Sequence, residues 1–241
     1  MEKSILLVKL SFLNHGEFCC TTCNLQLQQK IYNSTFFPNL FTMLLAFIVL
    51  AVIVVFLTYL SNKKHARKMV ANSDLDLLNP VPLTTAAIIL GIGVGGFIDG
   101  IVFHQILQWY EMISNKLPPV TLDAKSVNMF WDGIFHSFNL LVVITGIFLL
   151  WKLVNRSDIN KSFNLFSGGI LCGWGLFNMV EGLIDHHLIK LHNVRDNTNN
   201  IDLWNYGFLF FSVIILIIGY ILIRRTTLKN HLLNSSNEKP L

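Results

Sequence analysis

Five stretches of this chain are long and apolar enough to cross a lipid bilayer, and they restrict its fold more than any other feature. They cover residues 37–60, 83–109, 128–151, 163–187 and 204–223. A bilayer's hydrocarbon core takes about 20 residues of helix. Charged residues make up only 13% of the chain, about half their usual share in soluble domains. The third stretch is apolar except in its first two turns, where Asp132 and His136 sit. The expected fold class is all-α: a polytopic membrane bundle of five transmembrane helices over residues 37–225, with the second, third and fourth helices forming its core.

The basic residues predict the orientation. Lys63, Lys64, Arg67 and Lys68 follow the first span, Lys152, Arg156 and Lys161 follow the third, and Arg224, Arg225 and Lys229 follow the fifth. The connections on the other side are poorer in cations. Lys and Arg near span ends mark the cytoplasmic side, so the N-terminus is expected outside and the C-terminus inside. The net charge of +4 is then an anchoring signal, and nucleic acid is not an expected partner. Residues 1–36 read as a dispensable or disordered extension, although Cys19, Cys20 and Cys23 include one C-x-x-C. Residues 226–241 read as a disordered cytoplasmic tail. Trp109, Trp131 and Trp204 are expected at the outer interface.

An internal repeat lies in the spans. From Gly91 the second reads GIGVGGFIDGIVFHQ, and from Gly173 the fourth reads GWGLFNMVEGLIDHH. At a constant offset of 82, Gly91, Gly93, Asp99, Gly100 and His104 match Gly173, Gly175, Glu181, Gly182 and His186. The third span carries a compressed version in Asp132, Gly133 and His136. Small residues four apart, such as Gly91 with Gly95 and Gly169 with Gly173, allow close helix approach. Such faces would also suit pairing between copies of the chain. Gly91, Gly93 and Gly96 spell G-x-G-x-x-G, but no strand precedes them, so no dinucleotide site is expected.

The acids and histidines fall in one layer, the outer third of the bundle. With ~1.5 Å of rise per residue, Asp99 lies roughly 7 Å below the outer interface that His104 reaches. Ionisable groups in spans are costly and usually face a polar interior that serves function. Four carboxylates in one layer repel one another unless a cation offsets them, and neutral imidazole with carboxylate is an ordinary metal-ligand set. The expected ligands are His104, His136, His186, Asp99, Asp132, Glu181 and Asp185, with His187 and His192 less secure. Gln105, Gln108 and Asn178 are candidate partners for orienting the imidazoles. Asp99 and His104 are about 140° apart on a regular helix. Either that helix lines the interior broadly, or a π-bulge at Gly100 aligns residues five apart.

The stretches GGFIDGIVFHQILQW, NMFWDGIFHSF and GWGLFNMVEGLIDHHLIKLHNVR resemble an uncharacterised bacterial family of multi-pass membrane proteins, domain-of-unknown-function family 2243. The resemblance covers the chain from about residue 83 to 211 and implies a bacterial inner (cell) membrane protein. In that family the first motif usually continues with two histidines, where this chain has Tyr110 and Glu111.

These observations predict a metal-dependent membrane enzyme, hydrolase or oxidoreductase, or a metal-handling protein. Its partner is the bilayer, and its small-molecule or lipid substrate is not specified by the sequence. Zinc, iron or manganese suits the donor set. Copper fits less well because Cu(I) prefers sulfur, though Met112, Met129 and Met179 lie near the layer. Two other functions remain open. A haem- or quinone-linked electron carrier could pair His104 with His136 or His186, against the crowd of carboxylates. A proton-coupled transporter would use the parallel repeat.

Overall fold

The computed structural model describes residues 24–71 and 78–236. The three clustered cysteines lie outside them. The helices are α1 (Leu25–Ile31), α2 (Phe36–Ala71), α3 (Val81–Ile98), α4 (Leu122–Leu153), α5 (Phe163–Glu181) and α6 (Ile201–Ser236). Helices α3 and α5 each continue into a π-helical segment, Asp99–Ile106 and Gly182–Leu188 respectively. No strand occurs among the described residues, and five helices are long and apolar enough to span a membrane.

Capping fixes several of the helix starts. Asn24 accepts from the amides of Gln26 and Leu27 ahead of α1, and Thr121 accepts from Ala124 N at 3.2 Å ahead of α4. Asn79 accepts from Val81 N at 2.9 Å and Asn160 from Ser162 N at 3.0 Å, at the matching ends of α3 and α5. The bonds from Gln26, Leu27, Ala124 and Val81 satisfy main-chain donors that the first helical turn leaves open, while Ser162 is the residue just before α5.

Helices α3 and α5 form the inner pair. Half of the apolar stretch of each is buried, against 17–22% for α2, α4 and α6. Helix α4 flanks α3, α6 flanks α5, and α2 lies outside against α3 and α5. The core is therefore α3 with α5, and α4 is as peripheral as α6. That differs from the sequence expectation, because the apolar residues of α4 face outward on most of its circumference: Leu140, Leu141, Ile144, Ile147, Phe148 and Trp151 are exposed.

The two halves, α3–α4 and α5–α6, are related by a pseudo-two-fold along the bundle. A Cβ on Gly91 would stand 2.2 Å from Ile170 O, and one on Gly173 would stand 2.1 Å from Ile88 O. These contacts are reciprocal under the offset of 82. Only glycine lets the two backbones approach this closely. The glycine faces expected to suit oligomer contacts are thus consumed inside the chain. Gly133 differs, since no heavy atom lies within 4 Å of its added Cβ. The third copy of the acid–glycine–histidine pattern is not a packing motif.

Two terminal expectations change. Part of the expected extension is structured: α1 buries Leu27 and Ile31, and Lys30 pairs with Asp123 at the start of α4. Helix α6 continues to Ser236, well into the expected tail. Trp131 is also not an interface residue, because α1 and the start of α2 cover it. It is 1% exposed, with its ring 5.4 Å from that of Phe36. Trp109 and Trp204 enclose the Arg195 guanidinium at 5.3 and 5.1 Å from their ring centroids.

Candidate metal centre

The π-helical segments create the site. In a π-helix the hydrogen bond runs from residue i to i+5, which places residues five apart above one another. Asp99 and His104 are such a pair, and so are Glu181 and His186. His104 Nε2 lies 3.2 Å from Asp99 Oδ2, and His186 Nε2 lies 3.4 Å from Glu181 Oε1. The matching glycines, Gly100 and Gly182, admit the neighbouring helix. An added Cβ on Gly100 would meet the His136 ring at 2.5 Å, and one on Gly182 would meet Leu209 at 2.9 Å. Of the two alternatives for Asp99 and His104, the structure adopts the π-helical one.

Both segments end alike. Leu107 N donates to Val102 O at 2.8 Å, and Ile189 N donates to Ile184 O at 2.8 Å. Gln108 and Lys190 follow with left-handed φ of 48° and 54°, unusual for residues other than glycine. That reversal returns the chain over the site and delivers Tyr110 from one half and His192 from the other. The two rings stack at 4.6 Å with 12° between their planes. Each loop is then pinned by an asparagine: Asn128 accepts from Ile113 N at 2.9 Å, and Asn205 from Val194 N at 3.0 Å.

The halves differ in chemistry where they agree in shape. In the first half one oxygen or nitrogen of each group is hydrogen-bonded, while Asp99 Oδ2 and His104 Nε2 face each other at 3.2 Å without a hydrogen bond. Tyr110 OH donates to Asp99 Oδ1 at 2.5 Å, and His104 Nδ1 donates to Asp132 Oδ1 at 2.8 Å. Burial first, and then the neighbouring carboxylates, push the Tyr110 hydroxyl well above its usual pKa, so it stays a donor. In the second half the equivalent groups are left open. His186 and His192 are 2% and 0% exposed, and neither ring has a hydrogen-bonded nitrogen. Glu181 Oε2 is likewise buried without a partner. The counterpart of Asp132 on α6 is Asn205, whose amide is turned to the loop at Val194 and Asn193. No side chain therefore binds His186 as Asp132 binds His104.

Glu181, His186 and His192 offer ligand atoms that all lie within 4.8 Å of one another. Burial, reinforced by His186 and His104, holds the His192 imidazole well below its usual pKa. It is therefore neutral, the form that ligates metals. This group draws on the sequence-expected Glu181 and His186 and adds His192. Asp99, His104 and Asp132 adjoin it as the bonded network. Asp185 is buried nearby with Oδ1 unpaired.

His136 lies outside that group, with its Nε2 buried and unbonded. Its Nδ1 donates to the main-chain oxygen of Asp132 at 2.7 Å, and its ring lies over Gly100. His187 similarly donates to Gly182 O at 2.7 Å. Gln105 and Gln108 are exposed, and only Asn178 among the expected orienting residues is buried. Tyr110 and Glu111 are both buried. Tyr110's importance was readable from the repeat, since it stands 82 residues before His192.

No curated protein and no solved structure matches the chain. The family model described as predicted membrane protein (DUF2243) matches residues 86–226. That range holds both π-helical segments, both loops, all of α4 and α5 and most of α3 and α6, and the chain belongs to this family of membrane proteins.

Proposed function

We propose that the chain is a metal-binding multi-pass membrane protein whose divalent cation is held by Glu181, His186 and His192. The observation that carries the reading is the set of five buried ligand atoms without a hydrogen bond that these residues present: Glu181 Oε2 and both ring nitrogens of each histidine. Unpaired polar atoms at this depth cost free energy that a bound cation would offset. Two imidazoles and a carboxylate suit zinc, iron or manganese. The other expected ligands act around that ion. His104 has carboxylates at both ring nitrogens, and Asp132 and Asp99 are engaged in holding it.

The proposal keeps the cell membrane as the location, with the histidine end facing outward. A metal-dependent enzyme is the second reading, favoured by the Tyr110–Asp99 bond beside the group. A bound ion would supply Lewis acidity there, or a redox couple if it were iron or manganese. Tyr110 and Asp99 would position a proton at the site. The test is elemental analysis of detergent-purified protein as wild type, His186→Ala, His192→Ala and the remote control His65→Ala. The reading predicts a stoichiometric metal lost in the first two variants and kept in the control. It fails if metal-supplemented wild type is empty, or if both site variants retain the ion.

A further inference from the structure

The opposite end of the bundle holds a second polar feature, independent of the metal reading. A cleft of about 520 Å³ opens between α2, α3 and α6. Lys64 and Lys68 stand one turn apart on α2, and Arg224 reaches the same cleft from α6. No Asp or Glu is among the described residues lining it. Toward the middle of the bundle its walls become apolar at Val54, Leu57 and Ile88. Thr58 and Thr85 join across it, oxygen to oxygen at 3.1 Å, tying α2 to α3.

We propose that this cleft is a binding site for an anionic phospholipid. The phosphate lies among Lys64, Lys68 and Arg224, and the acyl chain follows the apolar wall. Three properties favour that occupant. The cationic groups converge from two different helices, and basic clefts between membrane helices suit anionic headgroups. The charge is confined to one end while the depth is apolar, which matches an amphiphile rather than a free anion. The cleft also lies between outer helices, α2 and α6, whose remaining faces expose apolar side chains such as Val55, Phe56, Ile217 and Ile221. Membrane topology alone needs only positive charge near span ends. Lys63, Arg67 and Arg225 provide that charge without lining the cleft.

This difference supplies the experiment. The full chain in neutral detergent is exchanged with an equimolar mixture of phosphatidylglycerol and phosphatidylcholine, and retained lipid is counted by native mass spectrometry. Wild type should retain phosphatidylglycerol preferentially. The triple variant K64Q/K68Q/R224Q should lose that preference by roughly tenfold or more, while the charge-matched K63Q/R67Q/R225Q should keep it. Equal loss in both variants would reduce the effect to surface charge and overturn the site. Equal retention of the two lipids by wild type would overturn it as well. A wild-type competition with inorganic phosphate needs no variant: displacement of the lipid by phosphate would identify a free-anion site and refute the phospholipid.

Discussion

Replacing Gly173 by alanine probes the contact on which the pseudo-two-fold depends. The new Cβ would stand 2.1 Å from Ile88 O, 2.8 Å from Ile92 N and 2.9 Å from Gly91 Cα. All three atoms are main chain on α3, so no side chain can rotate away. The helices must part by roughly 1 Å to restore ordinary contact. Overpacking of this kind typically costs about 1–3 kcal/mol, of which alanine's better helix propensity returns at most ~1 kcal/mol. Gly133→Ala is the matched control, because its Cβ meets nothing within 4 Å. For a chain of this size 1 kcal/mol is worth about 2–4 °C in Tm. Thermal unfolding in one detergent should therefore place Gly173→Ala several degrees below wild type, with Gly133→Ala level or slightly above. Equal Tm values for the two variants would refute the close α3–α5 approach.

Tyr110→Phe removes the donor to Asp99 while keeping the ring that stacks on His192. It should destabilise by about 1–3 kcal/mol, the cost of a buried acceptor left unpaired, with metal content retained; chemical denaturation and elemental analysis on one preparation check both halves. Glu111 carries a pH signature. Burial, then repulsion from Asp132, pushes its carboxyl up to about 7, against lowering by Lys125 and His104. A carboxyl whose folded pKa is raised makes the fold less stable as pH climbs from the unfolded value through about 7. Glu111→Gln should therefore gain Tm relative to wild type at pH 8 but not at pH 5, and a pH-independent difference would contradict the assignment. Chelator treatment should lower the wild-type Tm and leave that of His192→Ala unchanged, because a ligand of the native state stabilises it. Equal shifts in both would remove the metal from this site.

Most of the architecture was legible because membrane helices write themselves into hydropathy. Five spans, the repeat at offset 82 and the polar layer all follow from residue type and spacing. What the sequence could not decide was phase. On a regular helix Asp99 and His104 diverge, and only the π-helical hydrogen bonding of residues 99–106 aligns them. The two loops were also opaque. His192 looked like a solvated histidine because its position depends on the left-handed turn at Lys190, a conformation no local signal announces. His136 was legible in part: it shares a face with Asp132, four residues before it, and its Nδ1 bonds the main-chain oxygen of that residue. The sequence could not show that its ring lies over Gly100 with Nε2 buried and unbonded.

X-ray absorption at the metal edge of the as-purified protein tests the central claim most directly, because it reports the donor atoms themselves. Glu181, His186 and His192 predict a nitrogen and oxygen first shell near 2.0–2.1 Å for zinc, with outer scattering from two imidazoles that diminishes in His192→Ala. A sulfur shell near 2.3 Å would instead assign the ion to cysteine. That result, or a spectrum without imidazole scattering, would contradict the site.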